Sequence, residues 1–398
     1  MKKLKPHQAK NTVKKSRLGN KPRRRKNRAK LNKEIFIPLN VTAWNGETVE
    51  NIICLRKPTN PPKILSFHDN IGQTLKFLRQ VKNGVHSRSR DANINWIERP
   101  KGKTPRINNY IEFCEIEHIS PSVALVLAAI YERAKVAIGK TPPAINFENW
   151  GQQVFQTFYE IGFFEIIGHN TALEIIEFYD ERVDASYRVS KTITGSNANE
   201  LQTASDIVVS LLRYLELSEA ISDTIITEVN GAISEAMINV SRHAYPDSFI
   251  GSQSSICLKK WWMTAKASKA DNRLTIALYD QGATIPGTLP KQVWYQEMVS
   301  TVMNKLAPFS APRIVDHEFI NYSMLRGNTQ TGHAGRGLGL PQMQELIDSC
   351  TDGRLTVISR QGLYRYDKNA GVFKQRLDMA LEGTLIEWEL TLPYGRRR

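Results

Sequence analysis

The sequence contains few cysteines and no long hydrophobic run. Its four cysteines are widely separated and form no Cys-x-x-Cys pair: Cys54, Cys114, Cys257 and Cys350. This distribution argues against a structural zinc site or a disulfide framework and is typical of a reducing compartment. No stretch of about 18 apolar residues occurs that would span a membrane, and the first residues lack the apolar segment of a secretory signal. We therefore expect a cytoplasmic protein with no membrane-spanning segment.

Acidic residues are absent from the first 33 positions. This segment carries 15 Lys and Arg, which leaves 39 basic and 39 acidic residues in the remainder, so the whole excess charge of +15 lies at the N-terminus. Such a segment repels itself and has too little apolar surface to fold. We predict a disordered basic arm over residues 1–34. Its charge suits nucleic acid (DNA or RNA) or another polyanion, although a solubilising tail is an equally open interpretation.

The rest of the chain is long enough for two domains, and 41% hydrophobic residues suffice for ordinary cores. The polar stretch TITGSNANE at residues 192–200 predicts a linker. We therefore place one domain at residues 35–195 and a second at residues 196–398. Residues 35–110 show no interpretable pattern.

The first domain shows alternating strand and helix patterns. The predicted order is strand, helix, strand, helix, over residues 111–120, 121–139, 142–147 and 149–168. Ser120 and Pro121 are typical of a helix start, Gly139 of a helix end, and Gly162 of a break. This order predicts a small parallel α/β unit.

Residues 134–141, AKVAIGKT, nearly match a phosphate-binding P-loop. That loop requires a strand before it and a helix that starts at its Lys-Thr pair. Here a helix precedes the sequence, and Pro142 and Pro143 disfavour a helix after it. We therefore expect no P-loop at this position.

The arrangement of residues 111–168 resembles the STAS-type fold of anti-sigma-factor antagonists. The resemblance lies in the strand that leads into ISPSVALVLAAIYERA and in the stretch PPAINFENWGQQVFQTFYEIGFFEII. The resemblance implies a phosphorylated serine at the helix start, for which Ser120 and Ser122 are the nearby candidates. The Asp-Ser-x-Gly context of that family is absent, and Ser120 is also a typical helix N-cap.

The stretch EAMINVSRHAYP, residues 235–246, lies near the end of a predicted amphipathic helix. Its apolar stripe consists of Ile226, Val229, Ile233, Met237 and Val240. Glu235, Asn239 and His243 follow at intervals of four on a different face. A row of polar side chains on one helix face is either exposed to solvent or part of a binding or catalytic site.

Two further stretches carry candidate site residues. Residues 274–280 alternate like a strand that ends at Asp280, with Gly282 close behind. Such a carboxylate can accept a hydrogen bond from an exocyclic amine, although an Asp that ends a strand in a turn is also common. Residues 306–332 are polar and loop-like. Residues 335–339 then place three glycines before a predicted helix, where bare amides form an anion site.

Together these stretches resemble the GHKL ATPases, which include gyrase-type topoisomerases, MutL-type repair proteins, sensor histidine kinases and anti-sigma-factor kinases. Glu235 and Asn239 match the N box of that family, and His243-Ala244-Tyr245 closes it as in the anti-sigma kinase branch. Asp280 and Gly282 match the first glycine box, in which Thr284 replaces the second glycine. The remaining matches are Gly335, Gly337 and Gly339 in the second glycine box and Gly383-Thr384 in the late Gly-Thr box.

The resemblance implies a Bergerat-type α/β sandwich with a mixed sheet, so that the whole chain is expected to be an α/β protein. It implies that Asn239 holds Mg²⁺, that Glu235 is a base near the γ-phosphate, and that Asp280 reads the adenine amino group of ATP, with Thr384 also at the nucleotide. Residues 335–339 would close over the triphosphate, and Arg336 would contact phosphate or remain solvated. His243 is expected to be structural rather than catalytic.

Three functions share this fold. We favour an ATP-binding regulatory protein that acts as a kinase or ATP-gated switch on a protein partner, because a STAS-like domain accompanies the ATPase-like region. The alternative is a nucleic-acid-associated ATPase that uses the basic arm, and a third is a sensor without turnover. Whether the protein is an enzyme, and whether it forms a homodimer, remain open from sequence.

Overall fold

The structure is a computed structural model of the 398-residue chain. It describes residues 39–44, 49–86, 96–108, 110–168, 173–217, 219–247, 258–288, 300, 315–325 and 339–393. The basic segment 1–34 lies outside the described residues, as do Gly335, Arg336 and Gly337. The expectations for them therefore stay predictions. No helix in the described ranges is long and apolar enough to cross a membrane.

The N-terminal half combines short strands with five α-helices and a short 3-10 helix, Phe147–Asn149, among its described residues. Its elements are β1 (Leu39–Trp44), β2 (Val49–Cys54), β3 (Ile64–Leu65), α1 (Ile71–His86), β4 (Ile97–Glu98), β5 (Arg106–Ile107), β6 (His118–Ile119), α2 (Pro121–Ile138), β7 (Ala144–Ile145), α3 (Gln152–Glu160), α4 (Phe163–Ile166) and α5 (Leu173–Asp180). The strand order of its main sheet is β4-β5-β2-β1-β7, and β3 pairs with β6. The main sheet is mixed, because β2 and β5 are parallel while its other described pairs are antiparallel.

The C-terminal half is built on longer strands. Its elements are β8 (Tyr187–Val189), β9 (Ile193–Gly195), α6 (Leu201–Tyr214), α7 (Glu219–Asn239), β10 (Trp261–Ser268), β11 (Arg273–Asp280), α8 (Ile285–Thr288), α9 (Asp316–Leu325), α10 (Gly339–Ser349), β12 (Asp352–Asp367) and β13 (Gly371–Thr391). The strand order is β12-β13-β11-β10-β8, with β9 also on β10. Every described pair is antiparallel. The chain is thus a mixed α/β protein. We predicted a mixed sheet in the C-terminal half, but among the described strands the mixed sheet lies in the N-terminal half.

The C-terminal sheet separates two hydrophobic cores. Because side chains alternate along a strand, Trp261 and Met263 of β10 enter one core and Trp262 enters the other. The first core includes residues of α6, α7 and α10. The second includes residues of α1 and α2, and both helices pack on the sheet. The N-terminal half therefore covers the sheet face opposite α7.

The helix signals of the N-terminal half are confirmed. Ser120 caps α2, since its hydroxyl accepts a hydrogen bond from the Val123 amide at 3.4 Å, and Pro121 is the first helical residue. Gly139 ends the helix in the left-handed conformation, with φ +73°. Gly162, with φ +80°, separates α3 from α4. The sequence AKVAIGKT therefore lies at a helix end, where a P-loop would need a helix start.

The predicted strand pairing of the N-terminal half is wrong. Of residues 111–120, only His118–Ile119 form a strand, which pairs with β3, while β7 pairs with β1 in the other sheet. One cause is Glu112, whose carboxylate accepts hydrogen bonds from the amides of Phe113 and Cys114 at 3.0 and 3.1 Å. These amides are therefore bonded locally instead of across a sheet.

The predicted linker at residues 192–200 is wrong for Ile193–Gly195, which form β9. Trp261 of β10 holds this segment by donating its ring N–H to the Asn197 carbonyl at 2.9 Å. Gly195 permits the close approach, since a Cβ there would lie 2.5 Å from the Trp261 ring. Strands β8 and β9 thus belong to the C-terminal sheet.

The stretch expected to be loop-like, residues 306–332, contains helix α9. Its Asp316 carboxylate accepts a hydrogen bond from the Gln361 amide at 2.9 Å, and Phe319 and Ile320 are buried. A polar sequence therefore forms a helix here because one side of it packs on β12 and β13. The rest of the stretch lies outside the described residues.

Candidate functional site

Helix α7 carries the two N-box residues. Its apolar stripe is buried at Val229, Ile233 and Met237, as the sequence predicts. Glu235 and Asn239 are half-buried and lie one turn apart, which places their Cβ atoms about 6 Å from each other. The helix thus presents a carboxylate and an amide at the border between core and solvent.

The end of α7 departs from regular α-helix. A π-helical turn, Val240–Ala244, follows Asn239, and such turns are frequent at functional sites. The Asn239 side-chain nitrogen is buried and has no hydrogen-bond partner among the residues that the structure describes. A buried donor without a partner is costly, so this amide is suited to a ligand. His243 is exposed on the turn.

The π-helical turn packs directly on the turn after Asp280. The Ala283 amide donates to the Ala244 carbonyl at 2.7 Å. A Cβ at Gly282 would lie 2.4 Å from the same carbonyl oxygen, so only glycine fits. Tyr245 adds a second link, because its hydroxyl accepts from the Gln281 amide at 3.1 Å. The structure therefore brings the residues predicted to form the N box and the first glycine box together.

Asp280 is the last residue of β11 and is buried. Its carboxylate accepts a hydrogen bond from the Gly282 amide at 2.7 Å. Burial raises the pKa of Asp280 to about 7, and hydrogen bonds from the backbone of Gly282 and Thr384 partly oppose this rise. Among the described residues, no cation forms an ion pair with it. Asp280 is therefore a buried acceptor whose charge is stabilised by backbone amides.

The late Gly-Thr box lies beside Asp280 on the neighbouring strand, where Thr384 pairs with Asp280. Gly383 has φ +74°, and a Cβ there would lie 1.8 Å from the Asp280 carbonyl oxygen. The Thr384 hydroxyl lies 2.9 Å from the Ser359 hydroxyl, which accepts from the Ile285 amide at 2.9 Å. Sequence reasoning missed Ser359, because nothing in the pattern of β12 distinguishes it.

Thr284, at the position where the predicted first glycine box would have its second glycine, has φ +71°. A β-branched residue rarely adopts this left-handed conformation, which glycine adopts easily. The Thr284 hydroxyl accepts from the Gly287 amide at 3.2 Å, which links it to α8. The chain thus keeps a glycine-like backbone at a position where it has no glycine.

Substitution of Thr284 by glycine is therefore expected to stabilise the protein. Relief of the left-handed conformation gains about 1–2 kcal/mol, and the greater freedom of glycine in the unfolded chain offsets about 0.5–1 kcal/mol of it. Urea unfolding should show a net gain of about 0.5–1 kcal/mol. Thr284→Ala, which keeps the strain and loses the hydroxyl, is the control. A loss of stability in Thr284→Gly would show that the contact with Gly287 outweighs the strain.

The second glycine box is only partly described. Gly335, Arg336 and Gly337 lie outside the described residues, and Gly339 is the first residue of α10. Helix α10 packs against α7. Trp388 of β13 also holds it, by donating its ring N–H to the Met343 carbonyl at 3.0 Å. The N-terminal end of α10 thus belongs to the layer that contains Glu235 and Asn239.

Ser122, one of the two candidate phosphorylation sites, is fully buried. It lies 3.1 Å from the Ser120 hydroxyl and hydrogen-bonds to the buried Glu387 of β13. Burial and the neighbouring Glu389 raise the pKa of Glu387. A phosphate on Ser122 would meet this carboxylate in a closed contact, so the described arrangement does not admit phosphorylation there.

A cleft of about 380 Å³ lies in the N-terminal half, beside the ends of α2 and α4. Its lining includes Arg99, Lys135 and Lys140. The carboxyl ends of helices carry partial negative charge, which attracts cations and disfavours anions. The basic side chains of this cleft therefore compensate the helix ends and do not by themselves indicate an anion site. The cleft shares no lining residue with the Asp280 site.

No family model matches the chain, and a search of the curated proteins finds no match. The interpretation of the site therefore rests on its residues and their geometry. Within the described ranges, no group of three or more His, Cys, Asp and Glu side chains could hold a metal ion. Any metal at this site would need ligands from a substrate or water as well as from the protein.

Proposed function

We propose that the C-terminal half binds ATP with Mg²⁺, and that the protein acts as a kinase or ATP-gated switch on a protein partner. The observation that carries this proposal is the buried Asp280 carboxylate at the end of a central strand. Its charge has no cationic partner among the described residues. Two glycines lie beside it: a Cβ at Gly383 would meet the Asp280 carbonyl, and a Cβ at Gly282 would meet Ala244.

The neighbourhood of Asp280 suits a purine with an exocyclic amine. Such an amine donates to a carboxylate, and a hydrogen bond to a charged group in a buried site is worth about 1.5–3 kcal/mol. The paired hydroxyls of Ser359 on β12 and Thr384 on β13 offer further polar atoms. Adenine has the required amine, whereas the guanine carbonyl at the equivalent position would face the carboxylate unfavourably.

The polar side of α7 suits a phosphate chain with its cation. The Asn239 amide oxygen is a hard ligand of the kind that Mg²⁺ prefers, and this ion keeps several waters and substrate oxygens around it. The unpartnered Asn239 nitrogen would donate to a phosphate oxygen or water. Bound Mg²⁺ would supply charge neutralisation at the phosphates. Glu235, half-buried one turn earlier, would accept the proton of an attacking hydroxyl or water.

A protein partner suits the architecture of the chain. The N-terminal half packs on the sheet face opposite α7, so a binding event on that half can reach the Asp280 site through the sheet. The expectation of a STAS-like domain belongs to this proposal, although its predicted strand pairing is wrong. A homodimer would also be compatible with this proposal.

The test is incubation of the purified chain with ATP labelled on the γ-phosphate and Mg²⁺, followed by separation of ATP, free phosphate and protein. We expect bound ATP and transfer of label to water or to a protein. Bound ATP without any transfer would identify a sensor. Absence of ATP binding would refute the proposal.

The nucleic-acid alternative predicts a role for the basic arm. Residues 1–33 carry 15 basic and no acidic residues, so their deletion should abolish binding to DNA or RNA. In the full chain this binding should weaken by about 10³-fold between 50 and 200 mM salt. Fluorescence anisotropy with a labelled oligonucleotide measures both effects. Full-strength binding by the deletion variant would place the nucleic-acid site in the folded body and favour a nucleic-acid ATPase.

A further inference from the structure

Two consecutive residues of α2, Glu132 and Arg133, connect the N-terminal half to the loops that hold Asp280. The Glu132 side chain is 23% exposed and that of Arg133 is 13% exposed. The Lys260 partner of Glu132 is 22% exposed, so that ion pair is screened less than a surface pair, whereas the Glu382 partner of Arg133 is 41% exposed. Neither residue belongs to a motif of the nucleotide site.

Glu132 connects to the N-box side of the Asp280 turn. Its carboxylate forms an ion pair with Lys260 and accepts from the Trp262 ring N–H at 2.5 Å. The Lys260 carbonyl in turn accepts from the Tyr245 hydroxyl at 2.6 Å. That hydroxyl also accepts from the amide of Gln281. A continuous set of polar contacts thus leads from α2 to the residue after Asp280.

Arg133 connects to the other side of the same turn. Its guanidinium lies 3.4 Å from the Glu382 carboxylate, which also forms an ion pair with Lys82 of α1. The Glu382 carbonyl accepts from the buried Tyr279 hydroxyl at 2.9 Å. Glu382 immediately precedes Gly383, the residue that lies against the Asp280 carbonyl. The two contacts of α2 therefore hold the Asp280 turn from both sides.

We propose that Glu132 and Arg133 are positioning residues through which the N-terminal half sets the ATP affinity of the C-terminal half. This inference rests on the proposed ATP site. With both contacts formed, the turn is pre-organised and ATP binds without a further ordering cost. With them broken, the competent conformation is less populated and the apparent affinity falls by that fraction. A protein partner that moves α2 would change ATP affinity, and ATP would change the affinity for that partner by the same factor.

The experiment compares ATP·Mg²⁺ binding by calorimetry in the full chain and its variants. Glu132→Gln and Arg133→Met should each bind ATP about 5- to 50-fold more weakly than wild type. Arg133→Lys, which keeps the charge, should recover most of the affinity. The matched control is Glu117→Gln, which removes an exposed ion pair with Lys63 in the same half and should leave ATP affinity unchanged.

Amide hydrogen exchange without nucleotide separates positioning from a general structural role. We expect faster exchange in Glu132→Gln and Arg133→Met at residues 280–284, with β12 unchanged. Faster exchange throughout the C-terminal sheet would overturn the inference in favour of a structural role, and so would unchanged ATP affinity in both variants. A wild-type chain that binds no ATP would instead refute the proposed function, and the inference would fall with it.

Discussion

Replacement of Glu235 by glutamine is expected to slow ATP turnover by about 10²- to 10⁴-fold, the usual contribution of a general base. Glutamine is nearly isosteric but cannot accept the proton. ATP affinity should remain equal to that of wild type or increase, because a carboxylate near the γ-phosphate repels it. Single-turnover release of labelled phosphate, together with calorimetry, measures both quantities.

The matched variant on the same helix face is Asn239→Ala. Removal of a metal ligand should weaken Mg²⁺-dependent ATP binding, whereas removal of a base should not. The two variants therefore distinguish the two roles at positions one turn apart. Normal turnover in Glu235→Gln would show that another group is the base. Binding without turnover in both wild type and Glu235→Gln would mean that the protein is a sensor.

Local signals allowed the helices to be predicted from the sequence. The cap at Ser120, the left-handed glycine at Gly139 and the break at Gly162 each depend on a few neighbouring residues. The buried stripe of α7 likewise follows from helical periodicity alone. These features need no knowledge of the rest of the chain.

Strand pairing could not be predicted in the same way, because the partners of a strand are distant in sequence. The apolar alternation before Ser120 suggested a strand, but two backbone amides of this segment donate hydrogen bonds to the Glu112 carboxylate instead of to a neighbouring strand. The polar composition of residues 192–200 suggested a linker, but a buried tryptophan, Trp261, holds the segment in the sheet. Both outcomes depend on contacts that no local pattern contains.

The backbone of the candidate site could be predicted where a motif requires glycine. Gly282 and Gly383 lie where a Cβ has no room, so close packing explains why these two positions require glycine. Thr284 keeps the left-handed backbone without glycine, which the residue type alone would not reveal. Ser359 and the contacts of Glu132 and Arg133 come from elements outside the motifs, and tertiary packing alone brings them to the site.

Replacement of Asp280 by asparagine is expected to weaken ATP binding by about 10- to 100-fold, because it removes the charge from a buried hydrogen bond to the adenine amine. Binding of nucleotides that lack this amine should change far less. The loss of affinity should therefore be specific for adenine nucleotides, and the contribution of the phosphates to the binding free energy should be unchanged.

The pKa of Asp280 gives this prediction a pH signature. The ionised carboxylate is a stronger acceptor for an adenine amine than the protonated carboxyl group, and burial raises the pKa of Asp280 to about 7. The ionised fraction therefore falls from about nine-tenths at pH 8 to about one-tenth at pH 6. ATP affinity should fall by about tenfold over this range. The control is Asp280→Asn, which has no titrating group at this position. Titration of the ATP phosphates affects both proteins equally, so the difference between them reports the titration of Asp280.

Calorimetric titration of wild type and Asp280→Asn with ATP·Mg²⁺ between pH 6 and pH 8 is the most direct test of the proposed ATP site. We predict that wild-type affinity rises by about tenfold toward pH 8, and that Asp280→Asn binds more weakly with little dependence on pH. Equal affinity of the two proteins at pH 8 would contradict the assignment of Asp280 to adenine, and with it the account of the site.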